Sequence, residues 1–187
     1  MLRARHALFI VGPVFLVLGC AIFVAGCASS VENRDPSGEL FPSVEGEALT
    51  GESVQIPEAF TGRPLLILVG YEQDAQFDAD RWLVGLLQAQ VQVEIREVPT
   101  IDGFVPGILS SRIDEGMRKG IPSEDWASVV TVYDDASRIV EFTGNENGNN
   151  IRVLLLDGNG RVRWFHDRGF SAGKLLELQG VVESLRS

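Results

Sequence analysis

Apolar and polar positions are most clearly ordered near residue 150, where the chain predicts a β-hairpin. Ile151–Leu156 is a nearly unbroken apolar run, too short for a stable helix and rich in strand formers. Such a run is typical of a strand that is covered on both faces. Asp157–Gly160 then supplies residues that tolerate positive φ, as a tight reversal requires. Arg161–Trp164 alternates polar and apolar side chains, which predicts a returning strand with one face toward solvent.

The remaining periodicities predict strands that alternate with helices. The predicted strands are a small hairpin over Val44–Ile56 and single strands at Leu65–Gly70, Val91–Val98 and Val129–Tyr133. The first predicted helix is capped by Asp78 or Asp80, and its apolar residues recur at helical spacing: Trp82, Leu83, Leu86, Leu87 and Val91. The other predicted helices are Ile108–Arg118, a short helical turn at Ser137–Phe142, and a last helix that begins after Ser171. This order predicts an α/β fold in which helices flank a central mixed β-sheet, with an N-terminal β-hairpin.

The first 26 residues have the pattern of a secretory signal peptide. Arg3 and Arg5 form a basic start, and Ala7–Gly26 is almost wholly apolar. The run ends in Val-Ala-Gly-Cys, which resembles the lipobox of bacterial lipoproteins. In those proteins the cysteine is diacylated and the chain is cut just before it. The resemblance implies cleavage between Gly26 and Cys27 and lipid attachment to Cys27.

Two alternatives stay open for this segment. The apolar stretch is about long enough to span a bilayer as an uncleaved anchor, although Gly12, Pro13 and Gly19 interrupt it. Cleavage before Cys20 is the other alternative, and it would leave the apolar stretch Ala21–Val24 exposed on the mature protein.

Acylation at Cys27 would fix the mature protein to a membrane, because two or three acyl chains anchor stably where one is marginal. By the same resemblance, Ala28 after the cysteine implies retention in the outer membrane, on its periplasmic face. Residues 27–40 are polar and contain Pro36 and Gly38, which predicts a tether. The folded domain is then predicted over residues 41–187. With Cys27 blocked, this domain has no free thiol and no internal disulfide.

The charge of the chain excludes some partners. The net charge is -10, from 16 Lys and Arg against 26 Asp and Glu. No basic stripe is visible, so nucleic acid is excluded as a partner. We also predict no cofactor and no metal, since His166 is the one histidine outside the signal and no cysteine is free to assist it.

Four segments carry a resemblance to a known superfamily. Gly46–Pro57 and Gly62–Val69 look like the entry to redoxin domains of the thioredoxin superfamily. Val132–Val140 and Leu154–Trp164 resemble the second half of the same domains. The resemblance covers about residues 41–186 and implies a thioredoxin-like fold.

Shorter matches are similar to a narrower family. Val98-Pro99, Gly116–Arg118 and Gly160–Trp164 resemble the mitochondrial ATP-synthase assembly factors and their bacterial relatives. This resemblance implies an assembly role rather than an enzymatic one.

The residues of thioredoxin chemistry are missing. That chemistry needs a low-pKa thiolate at a helix N-terminus, usually in Cys-x-x-Cys. Here Gly70–Phe77 follows the first buried strand and contains no cysteine. The superfamily also has a cis-proline before the strand that begins the hairpin, a place held here by Asn149–Ile151. The sequence therefore predicts a thioredoxin-like domain that performs no disulfide exchange.

A protein-binding role is the function that this sequence favours. We predict a membrane-anchored module that recognises an envelope protein or peptide, with no catalytic residue. Its possible binding cleft comprises Tyr71, Glu72, Asp74, Arg118 and Trp164. Tyr71 would be an exposed interface anchor, and the acidic side chains would favour a basic partner. The alternative is an enzyme of another, non-thiol type that uses the acidic loop Tyr71–Asp74.

Overall fold

The computed structural model describes residues 30–103 and 105–186. The predicted signal peptide, with Gly26 and Cys27, lies outside these residues. The strands are β1 Val44–Ala48, β2 Ser53–Ile56, β3 Leu65–Gly70, β4 Glu94–Pro99, β5 Val130–Thr131, β6 Arg152–Leu156 and β7 Val162–His166. The α-helices are α1 Gln76–Gln88, α2 Gly107–Gly120, α3 Ala136–Thr143 and α4 Ala172–Arg186, with short 3₁₀ turns at Glu58–Phe60, Gln73–Ala75 and Ser123–Ser128.

The central sheet is mixed and has the strand order β4-β3-β6-β7. β3 pairs parallel with β4 and antiparallel with β6, and β6 pairs antiparallel with β7. The predicted N-terminal hairpin is confirmed as the antiparallel pair β1 and β2, extended by β5. Isolated bridges from Glu97 to Val129 and from Thr100 to Val132 connect β4 to the β5 region. The predicted α/β fold with a central mixed sheet is confirmed.

Two hydrophobic cores cover the two faces of the central sheet. The first core joins the sheet to the N-terminal hairpin and α3, and it includes Phe41, Val44, Ile56, Ile67, Val69, Ile139, Phe142, Leu154 and Val162. The second core joins the sheet to α1 and α4, and it includes Leu66, Leu68, Trp82, Leu86, Val153, Leu155, Leu175, Leu178 and Val182. Because both faces are covered, the apolar runs of β3 and β6 are continuous rather than alternating.

β7 departs from the predicted alternation. The register shifts between Leu155 and Leu156, which pair with Trp164 and Val162. This bulge adds one residue to β7, so its apolar side chains turn to opposite faces of the sheet. Val162 lies in the first core, whereas Trp164 packs on the second. Arg161 and Arg163 are exposed, as the alternation predicted, but because of the bulge the strand has covered side chains on both faces of the sheet.

α1 also differs from its prediction. It begins at Gln76, directly after a 3₁₀ turn, and its N-terminus has no side-chain cap. Asp78 is only 4% exposed and lies on the buried face of the helix. Trp82 is fully buried as predicted, but Leu87 is 78% exposed, and Val91 follows the end of the helix.

Residues 31–41, which we call the N-terminal segment, are bonded to the domain. Near its start, Arg34 N donates to Thr143 O at 3.1 Å. Further along, the amide of Gly38 donates to Val162 O, and the amide of Val162 donates back to Glu39 O, both at 2.9 Å. Most of the segment predicted as a tether therefore follows the folded domain, because its backbone groups are paired with the domain rather than with water.

Candidate functional site

The two ends of the central sheet are formed by different loops. Residues 71–75 and 145–150 form what we call the loop end, since β3 finishes there and β6 starts there. Residues 57–63 and 157–160 form what we call the turn end, where Gly62 N donates to Gly158 O at 2.8 Å. The predicted acidic loop and the place of the superfamily's cis-proline both lie at the loop end.

Tyr71 is anchored inside the loop end rather than exposed as a free anchor. Its hydroxyl donates to Ile139 O at 3.1 Å and lies 2.6 Å from Thr143 Oγ1. Its ring packs against the first core, and the guanidinium carbon of Arg152 lies 5.1 Å from the ring centroid. Burial raises the pKa of Tyr71 to about 12. The expectation of an exposed interface anchor at this position is wrong, because the side chain satisfies internal partners.

Arg152 is the residue that organises the loop end, and it is fully buried. Its Nη1 donates to Asn150 O at 2.7 Å and to Asn147 O at 3.3 Å, and Nη2 donates to Glu146 O. Nη2 also donates to Asn33 Oδ1 at 2.6 Å. Burial lowers the pKa of the guanidinium, although Tyr71 and acidic neighbours oppose that shift.

Sequence reasoning missed this role of Arg152 by treating it as part of an apolar run. The available signal was a lone cation inside a strand that is covered on both faces. Such a charge is tolerated only when hydrogen bonds replace its water.

Asp78 connects the loop end to the segment after β7. Its Oδ2 accepts the Ile151 amide at 3.1 Å, and its Oδ1 accepts the Phe170 amide at 2.8 Å. A proline at position 151 could not make the first of these bonds, since proline has no N–H. Among the residues that the structure describes, the cis peptide bond is Ile56–Pro57, at the turn end. The loop before β6 is thus built with a carboxylate and an amide where the superfamily uses proline.

The five residues of the predicted cleft do not meet. Glu72 and Asp74 are exposed at the loop end. Arg118 lies beside the end of β1 instead. Its Nε donates to Leu49 O at 2.7 Å, and its guanidinium stacks on Trp126. Trp164 packs edge-on against Trp82, with ring centroids 6.0 Å apart, on the opposite face of the sheet from Tyr71.

The cleft prediction is therefore wrong as a single site. α2 holds Arg118 against the end of β1, and the bulge in β7 turns Trp164 away from the face that carries Tyr71. What the structure leaves at the loop end is an exposed acidic surface of Glu72 and Asp74 above a hydrogen-bonded interior.

The loop end does not line either of the surface depressions found in the part of the chain that the structure describes. Two surface depressions of about 250 and 310 Å³ lie away from it, one at the turn end and one beside Val84 and Phe170. Within residues 30–103 and 105–186, no cluster of three His, Cys, Asp or Glu side chains is placed to hold a metal. In the same ranges no helix has the length and hydropathy needed to cross a bilayer.

Comparison with known proteins identifies the fold. No protein-family profile matches the chain, and no curated protein sequence matches it. An exposed lipoprotein thioredoxin from Streptococcus pneumoniae superposes with a TM-score of 0.52 at 11% identity, over 75% of this chain and 99% of that one. A putative protein disulfide isomerase from Bacteroides thetaiotaomicron superposes with a TM-score of 0.56 at 12% identity, over 85% and 96%. The fold is thioredoxin-like.

A SCO1/SenC family lipoprotein from Bacillus anthracis has the same relationship to this thioredoxin-like domain. Its TM-score is 0.51 at 11% identity, over 83% of this chain and 100% of that one. At such identities the likeness is one of fold. The two cysteines of the chain are Cys20 and Cys27, so residues 30–187 contain no thiol.

Proposed function

We propose that this protein is a membrane-anchored lipoprotein of the cell envelope whose thioredoxin-like domain binds another protein and performs no thiol chemistry. The observation that carries the proposal is the composition of the loop end. Tyr71–Asp74 stands where the fold would present a reactive cysteine, and Asn149–Ile151 stands where it would present a cis-proline. An assembly role is the form of binding that the narrower family resemblance favours.

The bonding at the loop end supports binding over catalysis. The Tyr71 hydroxyl is engaged with Ile139 and Thr143, and burial moves its pKa still further above physiological pH. Nη1 and Nη2 of Arg152 and both carboxylate oxygens of Asp78 are engaged mainly by backbone groups of this chain. An enzyme needs a titratable or nucleophilic group that reaches its substrate, and a binding surface does not. The alternative of a non-thiol enzyme that uses Tyr71–Asp74 therefore has less support.

Membrane attachment rests on the sequence at Cys27. The Val-Ala-Gly-Cys box supports acylation there, and Ala28 favours the outer membrane, with the domain on the periplasmic face. Two of the solved structures with this fold are lipoproteins by description.

Photo-crosslinking in intact cells tests the proposal. A photoreactive phenylalanine analogue replaces Asp74 at the loop end or, as the matched control, Asn159 at the turn end, both of which are exposed. We expect one stoichiometric envelope protein to be captured from position 74 and not from position 159. Cys27→Ser should leave an unprocessed precursor that lacks the lipid and loses the adduct.

Two outcomes would contradict the proposal. Insulin reduction by the purified lipoprotein would show that thiol-type chemistry survives in some unrecognised form. Equal capture from positions 74 and 159 would show that the loop end is not the binding surface.

A further inference from the structure

The start of the N-terminal segment is fixed to the loop end. Val31 N donates to Asn145 Oδ1 at 2.7 Å, and Val31 O accepts the amides of Asn145 at 3.0 Å and Glu146 at 3.3 Å. Three hydrogen bonds on one residue leave the chain little freedom at this point. Whatever precedes residue 31 therefore leaves the domain beside residues 145–150.

Two neighbouring contacts reinforce this attachment. Asn33 Oδ1 accepts a hydrogen bond from the buried guanidinium of Arg152 at 2.6 Å. Gly144 has φ +72, and a side chain there would collide with the backbone oxygen of Glu32. Only glycine adopts this conformation without strain and also allows so close an approach. The domain thus has a built surface for the N-terminal segment.

The distance from the lipid to this surface is short. Four residue steps separate Cys27 from Val31, and even a fully extended chain covers only about 14 Å in four steps. The sheet itself extends roughly 15 Å between its ends, since each residue of β6 rises about 3.4 Å. The distance from Cys27 to Val31 at the loop end therefore cannot exceed the length of the central sheet.

We infer that the domain lies directly against the membrane in one orientation, with the loop end toward the bilayer and the turn end away from it. This inference rests on the proposed acylation of Cys27. The N-terminal segment then acts as a short rigid connection and not as a tether that lifts the domain. In this orientation the exposed acidic side chains of Glu72, Asp74 and Glu146 face the lipid headgroups. Because like charges repel, these side chains do not bind anionic headgroups. A partner bound through the loop end must consequently be a membrane protein or lie at the membrane surface.

Fluorescence quenching on the acylated full-length protein tests this orientation. The mature chain offers Cys27 alone, which is blocked by lipid, so a single new cysteine can be labelled. The variants are Asn149→Cys at the loop end and Asn159→Cys at the turn end, both at exposed positions. Each labelled protein is reconstituted in phosphatidylcholine vesicles that contain a lipid with a nitroxide on its headgroup. We expect several-fold stronger quenching at position 149 than at position 159.

A linker insertion is the matched control. About 20 Gly and Ser residues between Ser29 and Ser30 add a flexible span of about 25 Å. This insertion should bring the quenching of the two labels to similar values while leaving the protein bound to vesicles. Residues 31–41 are unchanged in this variant, so the domain keeps its own contacts.

The possible failures are distinguishable. Protein that does not float with the vesicles would refute acylation at Cys27 and the orientation with it. Protein that floats but shows equal quenching at positions 149 and 159, or stronger quenching at 159, would refute the orientation alone. Stronger quenching at 149 that survives the linker would mean that the loop end binds the membrane by itself, which would overturn the role assigned to the N-terminal segment.

Discussion

β6 runs from the loop end of the central sheet to the turn end, and these two ends are stabilised in different ways. At the turn end, the Asp157 carboxylate accepts the amides of Asn159 at 2.9 Å and Arg161 at 3.0 Å, all within five consecutive residues. At the loop end, Arg152 and Asp78 bond to segments that are far away in sequence. The tight turn is built by local hydrogen bonds, whereas the buried charged groups of the loop end also need partners that are distant in sequence.

This difference has an energetic consequence. The loop end contains a buried cation and a buried carboxylate, and each is compensated by several hydrogen bonds. Removing one partner from such a network leaves other buried groups unsatisfied. The bonded charged groups of the turn end, Asp157 and Arg161, are more exposed than Arg152 and Asp78, so solvent can replace a hydrogen bond that is lost there. Substitutions at the loop end should therefore cost more.

The largest effect should come from Arg152→Met. Methionine fills similar space but removes the Arg152 donor from the backbone oxygens of Glu146 and Asn150 and from Asn33 Oδ1. Asn147 O keeps the Asn150 amide at 3.0 Å. We expect the free energy of unfolding to fall by about 3 kcal/mol, since each unsatisfied buried group costs about 1–3 kcal/mol. Urea unfolding followed by tryptophan fluorescence measures this change.

The matched control for that substitution is Arg161→Met at the turn end, where the exposed guanidinium donates to Gly38 O. Its cost should stay below about 1 kcal/mol. If the two arginine variants lose equal stability, the contrast between the ends is wrong.

A smaller effect is expected for Tyr71→Phe. The variant keeps the ring and loses the hydroxyl that bonds to Ile139 and Thr143, which should cost about 1 kcal/mol at neutral pH. The folded pKa of Tyr71 is about 12, above its usual value of 10. The hydroxyl therefore stabilises the fold fully below pH 10, and this contribution is lost as the pH rises from 10 to 12.

Stability curves of the wild type and Tyr71→Phe against pH measure that loss. The deficit of the variant should shrink as the pH rises above 10. Tyr133 titrates in both proteins, so its contribution cancels in the difference. A deficit that stays constant to pH 12 would mean that the Tyr71 hydroxyl is not buried as described.

The smallest effect should come from Asp157→Ala at the turn end. Partial burial opposes ionisation of this carboxyl, but the amides of Arg161 and Asn159 and the Arg163 side chain outweigh it and lower its pKa. Its contribution is then present above the ordinary pKa of about 3.9 and is lost as the pH falls below that value. We expect a loss of about 0.5–1 kcal/mol at pH 7.

Thermal unfolding between pH 2 and pH 7 checks this prediction. The deficit of Asp157→Ala should diminish toward pH 2, and Asp157→Asn should retain part of the turn without the same pH dependence. An Asp157→Ala deficit larger than that of Arg152→Met would reverse the order of the two ends.

The sequence predicted the turn end well because its signals are local. Asp157–Gly160 carries turn chemistry, and the apolar run before it marks a covered strand. Most strands and helices were also predicted, within a few residues at their boundaries. The N-terminal hairpin was predicted for the same reason, with Gly51 at φ +91 in its turn.

The loop end could not be predicted in the same way. Whether Asp78 caps a helix or accepts the amides of Ile151 and Phe170 depends on where the helix starts, and a 3₁₀ turn sets that start. Whether Tyr71 is exposed depends on α3 packing over it. The bulge that turns Trp164 away is a property of strand register and has no marker in Arg161–Trp164. These residues acquire their roles only through tertiary contacts.

If the protein is exported as a lipoprotein, as proposed, the N-terminal segment has a consequence for the order of events during export. Val31 and its partner Asn145 are separated by 114 positions, and Asn33 and Arg152 by 119. A chain that crosses a membrane from its N-terminus presents residue 31 long before residue 145 arrives. The region around Cys27 therefore stays accessible to processing enzymes until nearly the whole domain has been translocated. Closure of the segment onto the domain would then be a late step that follows the attachment of lipid.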